Sequence, residues 1–267
     1  MWLIRSIRGI CSVAIVNSLN FLFKHNSFGA QLLQVGSSGQ APWLYCSSLQ
    51  SVPGQPVRGG VPVLFPQFAN KGPLPKHGFV RNLVWEVQRT WQTSSESGVI
   101  YALDLDEQTV HVWPNKASLK LEISASSRQL FMRLVVTNKG TNTLEWTGGL
   151  HPYWWLPNLL DTKVVGLGAE HQNELIFDEN GIEQIFSNKN TVTLMRGKDS
   201  AIKLQASGFD EWMTWNPGQV GAKLLMDMPA EDWQHFVCIE PVCVTNPVRL
   251  VTGESFEGIL QAKIMGL

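Results

Sequence analysis

LKLEISA at residues 119–125 and FMRLVVT at residues 131–137 decide the fold class. In both, apolar side chains recur at every second position and the content is rich in β-branched and long aliphatic residues, the mark of a strand with one buried face. The same alternation recurs in AIKLQAS (201–207) and HFVCIE (235–240). Further strands are expected at 20–25, 29–35, 83–88, 99–105, 164–167, 191–195, 211–215 and 256–264, separated by breakers at Gly36–Gly39, Asn138–Gly140, Asn188–Asn190 and Asn216–Gly218. Helical periodicity is scarce, with one short turn expected from Pro229 to Trp233. A dozen or more short strands in one chain imply an all-β protein of stacked antiparallel sheets, a large sandwich.

The 267 residues suffice for one well-filled domain, and no linker, repeat or charge block divides them. A single domain is expected over 20–267, preceded by a separate amino-terminal segment, 1–19. MWLIRSIRGICSVAIV carries two arginines and an apolar run, as a signal or anchor would. The run is broken by Ser12 and falls well short of the roughly 20 residues that span a bilayer, so a first strand or an upstream stretch is expected, in a cytoplasmic protein. Lys plus Arg number 21 and Asp plus Glu 22, a formal charge of -1. That balance gives the chain no electrostatic reason to seek nucleic acid or an acidic membrane, and any anion site must be local. The four cysteines form no CxxC and lack closely spaced histidines, so neither a zinc site nor a disulfide framework is expected; Cys238 reads as a small core residue.

Three neighbourhoods carry candidate chemistry. In PVRGGVPVLFPQF (56–68), Arg58 precedes two glycines that permit close approach to a ligand, although such a loop is also an ordinary surface turn. LPKHGFVRN (74–82) gathers Lys76, His77 and Arg81 around Gly78, a group able to clamp a phosphate or a sugar hydroxyl, or simply a solvated basic turn. Both lie in or beside the polar, Gly/Pro-rich stretch from Ser47 to Lys76, which is long for a loop that lines nothing. GGLHPYWWLP (148–157) and FVCIEPVCVTNP (236–247) form the third. His151 sits among glycines and aromatics, and Glu240 shares a strand face with Phe236 and Cys238. A carboxylate so placed is either paired structurally or held for proton transfer. Trp154, Trp155, Phe209, Trp212 and Trp215 offer rings for core packing or for the C–H faces of a sugar.

Taken in order, RGGVPVLFPQF, LPKHGFVRN, LHPYW, WNPG (215–218) and FVCIE resemble the aldose 1-epimerase superfamily, and within it the hexose-6-phosphate mutarotases, from about Asn20 to the carboxyl end. The resemblance implies a galactose-mutarotase-like β supersandwich acting, without cofactor or metal, as a monomer on a phosphorylated sugar. It also implies that His151 protonates the ring oxygen, that Glu240 takes the anomeric proton, that Arg58 and Arg81 hold phosphate and that His77 lines the sugar pocket. Two positions depart from the pattern. Lys76 stands where some relatives have Gln or Ala, and GIEQIF (181–186) places Glu183 where relatives carry an aspartate that contacts sugar hydroxyls. Opening a hemiacetal removes one proton while another is delivered, which a carboxylate and an imidazolium accomplish together. His151 is therefore expected to hold its pKa near or above about 6.5 beside the facing carboxylate. The rivals are an epimerase of another or unphosphorylated sugar, a non-catalytic carbohydrate-binding protein, and a glycoside hydrolase with Asp210 or Glu211 as second carboxylate.

Overall fold

The structure, a computed structural model, describes residues 3–7, 11–18, 21–37, 39–49, 55–107, 109, 111, 113–167, 174–187, 191–197 and 200–266, with 3–18 described by their backbone alone. LKLEISA lies in the strand Ala117–Ala125 and FMRLVVT in Gln129–Asn138, paired antiparallel from Ala117 opposite Asn138 to Ala125 opposite Leu130. Leu119, Leu121, Ile123, Met132, Leu134 and Val136 are all sealed from solvent, so the alternation in the sequence is the alternation between core and surface.

This hairpin sits inside a nine-stranded sheet in the order Glu174–Ile176, Thr162–Val165, Thr191–Arg196, Ser200–Ser207, Ser255–Gly266, Gln129–Asn138, Ala117–Ala125, Ser97–Leu105 and Glu86–Gln92. A six-stranded sheet comprises Ile182–Ser187, Glu211–Asn216, Phe236–Leu250, Leu144–Leu150 and Val63–Leu64, with Tyr153–Trp155 also paired to Phe236–Leu250. Four further strands, Leu3–Ile7, Cys11–Ser18, Phe21–Asn26 and Gln31–Ser37, form a meander. Every ladder among the described residues is antiparallel, and one continuous apolar core, with Trp43, Trp85, Trp146, Trp154 and Trp212 fully buried, joins the sheets. No helix among the described residues is long and apolar enough to cross a membrane.

The strands expected from alternation are found, with bounds shifted by up to three residues at the starts and up to ten at the end of the 235–240 strand, which runs on as Phe236–Leu250. The 1–19 segment contributes two strands, the Asn188–Asn190 turn lies outside the described residues, and so does Ser38 of the Gly36–Gly39 turn. Pro229 caps a 3-10 helix, Ala230–His235. The turn at Asn216–Gly218 runs on into a helix, Gly218–Ala222, because Asn216 anchors it: its Nδ2 donates to Trp233 O and Phe236 O, while its Oδ1 accepts from Gly218 N–H.

Candidate active site

The central strand Phe236–Leu250 fixes the site. Glu183, Trp215, Cys238 and Tyr153 are register partners across four strands, and Met213 is the partner of Glu240, so these side chains project from one face of the six-stranded sheet. Next to it, Leu144–Leu150 must squeeze between Phe236–Leu250 and Val63–Leu64. It does so through Gly148 and Gly149, at φ of 149° and 154°, where a Cβ would stand 2.0 Å from Leu64 O and 2.2 Å from Pro241 O. That passage, with a register shift between Trp146 and Gly148, delivers His151 to Glu240. His151 N–H is held by Pro62 O at 2.9 Å, and its Nε2 lies 3.4 Å from Glu240 Oε1.

A cleft of about 450 Å³ opens over this pair. Arg58, Lys76, His77, Arg81, His151, Glu183 and Glu240 all line it, so the residues singled out in the sequence, 182 positions apart at the extremes, converge on one space. The Ser47–Lys76 stretch supplies Arg58, Phe68, Ala69, Asn70, Lys71 and Lys76, which accounts for its length. Of the five rings offered for a sugar, Trp215 lines the cleft, and Tyr153 and Met213 line it without having been singled out in the sequence; period two from Glu240 and its neighbour strand contained the signal. The same period turns Trp212 and Trp154 to the opposite face, where they are core, as is Phe209. Asp210 and Glu211 are absent from the lining, and Glu211 instead accepts Val244 N–H and Thr245 N–H at 2.8 and 2.9 Å. The second carboxylate of a glycoside hydrolase therefore does not come from this pair.

The rings form a tight stack. Tyr153 lies parallel to His151 at 4.7 Å and 8°, and His77 meets His151 edge-on at 5.4 Å. Arg58 donates from Nε to Asp227 Oδ1 at 2.6 Å and from Nη1 to Tyr153 OH at 3.3 Å. Arg81 donates from Nη2 to Lys76 O at 3.0 Å, while its Nε–H is buried without a partner. His77 accepts Ala69 N–H on Nδ1 at 3.2 Å, which puts the ring proton of the neutral form on Nε2. Burial, with Arg81, Lys76 and Arg58 nearby, pushes its pKa down to about 3.

His151 departs from the expectation of a pKa near or above 6.5. Burial, then the neighbouring His77, Arg81 and Arg58, hold its pKa well below the ordinary histidine value instead of near or above it. Burial, reinforced by Glu183, holds Glu240 well above the carboxylate range. Burial thus favours the neutral form of each member of the unliganded pair, an imidazole facing a carboxylic acid. His151 Nδ1 and Glu240 Oε2 are buried without hydrogen-bond partners, leaving one polar atom on each side of the pair unsatisfied. At 3.4 Å the carboxyl proton can pass to the imidazole and back, and this is what paired proton addition and removal at a hemiacetal requires.

His151, Cys238 and Glu240 also bring a nitrogen, a sulfur and an oxygen within 4.8 Å of one another, a donor set a metal ion could use. Burial raises both the Cys238 thiol and the Glu240 carboxyl, so binding there would have to release two protons.

Sheets, connections and a cleft of this kind define a galactose-mutarotase-like supersandwich. The structure superposes on a putative mutarotase from Salmonella typhimurium with a TM-score of 0.87 at 20% identity, covering 100% of this chain and 97% of that one. A galactose 1-epimerase from Lactobacillus acidophilus gives 0.73 at 14% identity, covering 100% and 98%. The family model for aldose 1-epimerase matches residues 12–170, and the chain belongs to that family, enzymes that interconvert sugar anomers. Among curated relatives, a protein of Cenchrus ciliaris named "Putative glucose-6-phosphate 1-epimerase" is 22% identical over 96% of this chain and 85% of its own length. One of the same name from Escherichia coli (strain K12) is 25% identical over 79% and 76%.

Proposed function

We propose that the protein interconverts the α and β anomers of a hexose 6-phosphate, glucose 6-phosphate foremost, in the cytoplasm and as a monomer. The observation that carries this reading is the presence of two guanidiniums, Arg58 and Arg81, with Lys76, in the same cleft as His151 and Glu240. Arginine presents paired donors suited to phosphate oxygens, and a neutral sugar gives no reason to gather four cations, Lys71 included. The names of the curated relatives point the same way.

In this reading, the phosphate anchors one end of the sugar against Arg58 and Arg81, and Trp215 and Tyr153 flank the ring. Glu183 and His77 Nε2–H serve the hydroxyls. His151 and Glu240 exchange protons with the anomeric hydroxyl and the ring oxygen. One accepts the hydroxyl proton as the other delivers a proton to the ring oxygen and the C1–O5 bond opens. Rotation about C1–C2 and closure onto the other carbonyl face reverse both transfers. Binding of the anionic substrate expels water from the cleft and brings a dianion to the arginines, which relieves their depression of His151 and favours its protonated form. The resting pair thus needs only an internal proton shift to start the reaction.

The test is a comparison of kcat/KM for glucose 6-phosphate and for free glucose in the native protein and in Arg58→Ala and Arg81→Ala. A native preference for the phosphorylated sugar that collapses in both variants supports the proposal. Equal efficiencies in the native protein would reject it.

A further inference from the structure

A second cavity, of about 360 Å³, lies away from the cleft, between the end of strand Gln31–Ser37 and the ends of Ser200–Ser207 and Ser255–Gly266. Its polar lining among the described residues is Arg196, Arg128, Ser37, Gln40, Ser127 and Ser200, none of them a carboxylate. Arg196 closes strand Thr191–Arg196 and is 7% exposed. Its Nη2 donates to Ser200 Oγ at 2.9 Å, and its Nη1 makes only long contacts, 3.2 Å to Pro42 O and 3.5 Å to Trp155 O. Its Nε–H is buried with no acceptor at all.

Neither guanidinium has a carboxylate partner among the described residues, and burial alone pulls Arg196 down to about 10. Bracing two carbonyls does not call for a charge, because a neutral amide donor would do it without the cost of desolvating a cation. It also leaves Nε–H unaccounted for. A buried cation, a second arginine at the mouth, three hydroxyls and an amide form a set dominated by donors, complementary to a ligand made of acceptors. The space equals roughly a dozen waters, more than a bare oxyanion fills.

We propose that this cavity is a second anion-binding site, separate from the His151–Glu240 cleft, that takes a phosphate group, free or carried on a small organic molecule. Arg196 supplies the desolvated charge and Arg128 the entry contact. The assignment does not depend on which sugar the cleft accepts.

The experiment follows the arginine Nε–Hε resonances of the ¹⁵N-labelled protein during titration with inorganic phosphate, and separately with glucose 6-phosphate. It uses both the native chain and the Arg58→Ala/Arg81→Ala double variant, which disables anion binding in the cleft. The Arg196 signal is expected to shift saturably in both proteins. Arg128→Ala, which removes an exposed side chain and so spares the fold, should weaken that binding about tenfold, the loss of one charge-assisted contact. Tighter binding of glucose 6-phosphate than of phosphate would identify an organic phosphate as the ligand, and equal binding the free anion; either supports the site. An Arg196 signal that stays still, that moves only when the cleft arginines are present, or that titrates unchanged in Arg128→Ala would overturn it.

Discussion

Replacing Glu240 by glutamine should damage catalysis and strengthen the fold at once. The side chain is 1% exposed, and burial holds it protonated in the native state, whereas in the unfolded chain it ionises near its ordinary value of about 4.3. At pH 7 the native protein therefore carries a penalty for keeping a proton the unfolded chain would release, up to about 4 kcal/mol by linkage. Glutamine has nearly the same shape, is neutral in both states and avoids that penalty. The variant should gain stability at pH 7, by as much as about 4 kcal/mol, and the gain should shrink towards zero as pH falls to 4.3. Anomerisation should meanwhile drop by about 10²–10⁴, the usual worth of a positioned acid–base group. Urea unfolding of both proteins from pH 5 to 8, beside NMR exchange rates, reads both effects. A variant less stable than the native protein at pH 7, or a difference that does not change with pH, would mean that Glu240 is ionised against a protonated His151, and would refute the neutral pair.

Other consequences are accessible to simple measurements. His151→Ala should remove most catalysis above the spontaneous rate with circular dichroism unchanged; near-native turnover would contradict the paired mechanism. Acid should weaken the fold below about pH 6.5. His25, at about 4, His77, at about 3, and His151 stay neutral in the native state while the unfolded chain takes up protons, so unfolding free energy falls as pH drops through this window, against a single opposite contribution from Glu240 above 4.3. Flat stability between pH 6.5 and 4.5 would count against those assignments. Leu121→Ala, at a fully sealed core position, should cost about 2–5 kcal/mol in urea unfolding. Gly149→Ala should both destabilise the protein and lower turnover, because a Cβ 2.2 Å from Pro241 O must push apart the strands that bring His151 to Glu240.

Much of this molecule is legible in its sequence because antiparallel strands with one buried face write their period directly into the chain. Leu119, Leu121 and Ile123 illustrate it. Strands such as Leu144–Leu150 and Ile182–Ser187 escape the reading because two glycines interrupt the first and the second is largely exposed. The site residues were recognisable as chemically unusual clusters, yet nothing in the chain says that Arg58 meets Asp227, which lies 169 residues away. Depth of burial is equally invisible. The family resemblance sets His151 against Glu240 and so suggests a raised histidine pKa. Only the packing of Tyr153, His77 and Trp215 around the pair reveals that desolvation decides its protonation.

The most direct measurement is the approach of freshly dissolved α-glucose 6-phosphate to anomeric equilibrium, followed by polarimetry or NMR exchange beside free glucose and a protein-free blank. The account predicts acceleration of the phosphorylated sugar far above that of free glucose. Acceleration of free glucose alone, or of neither sugar, would contradict it.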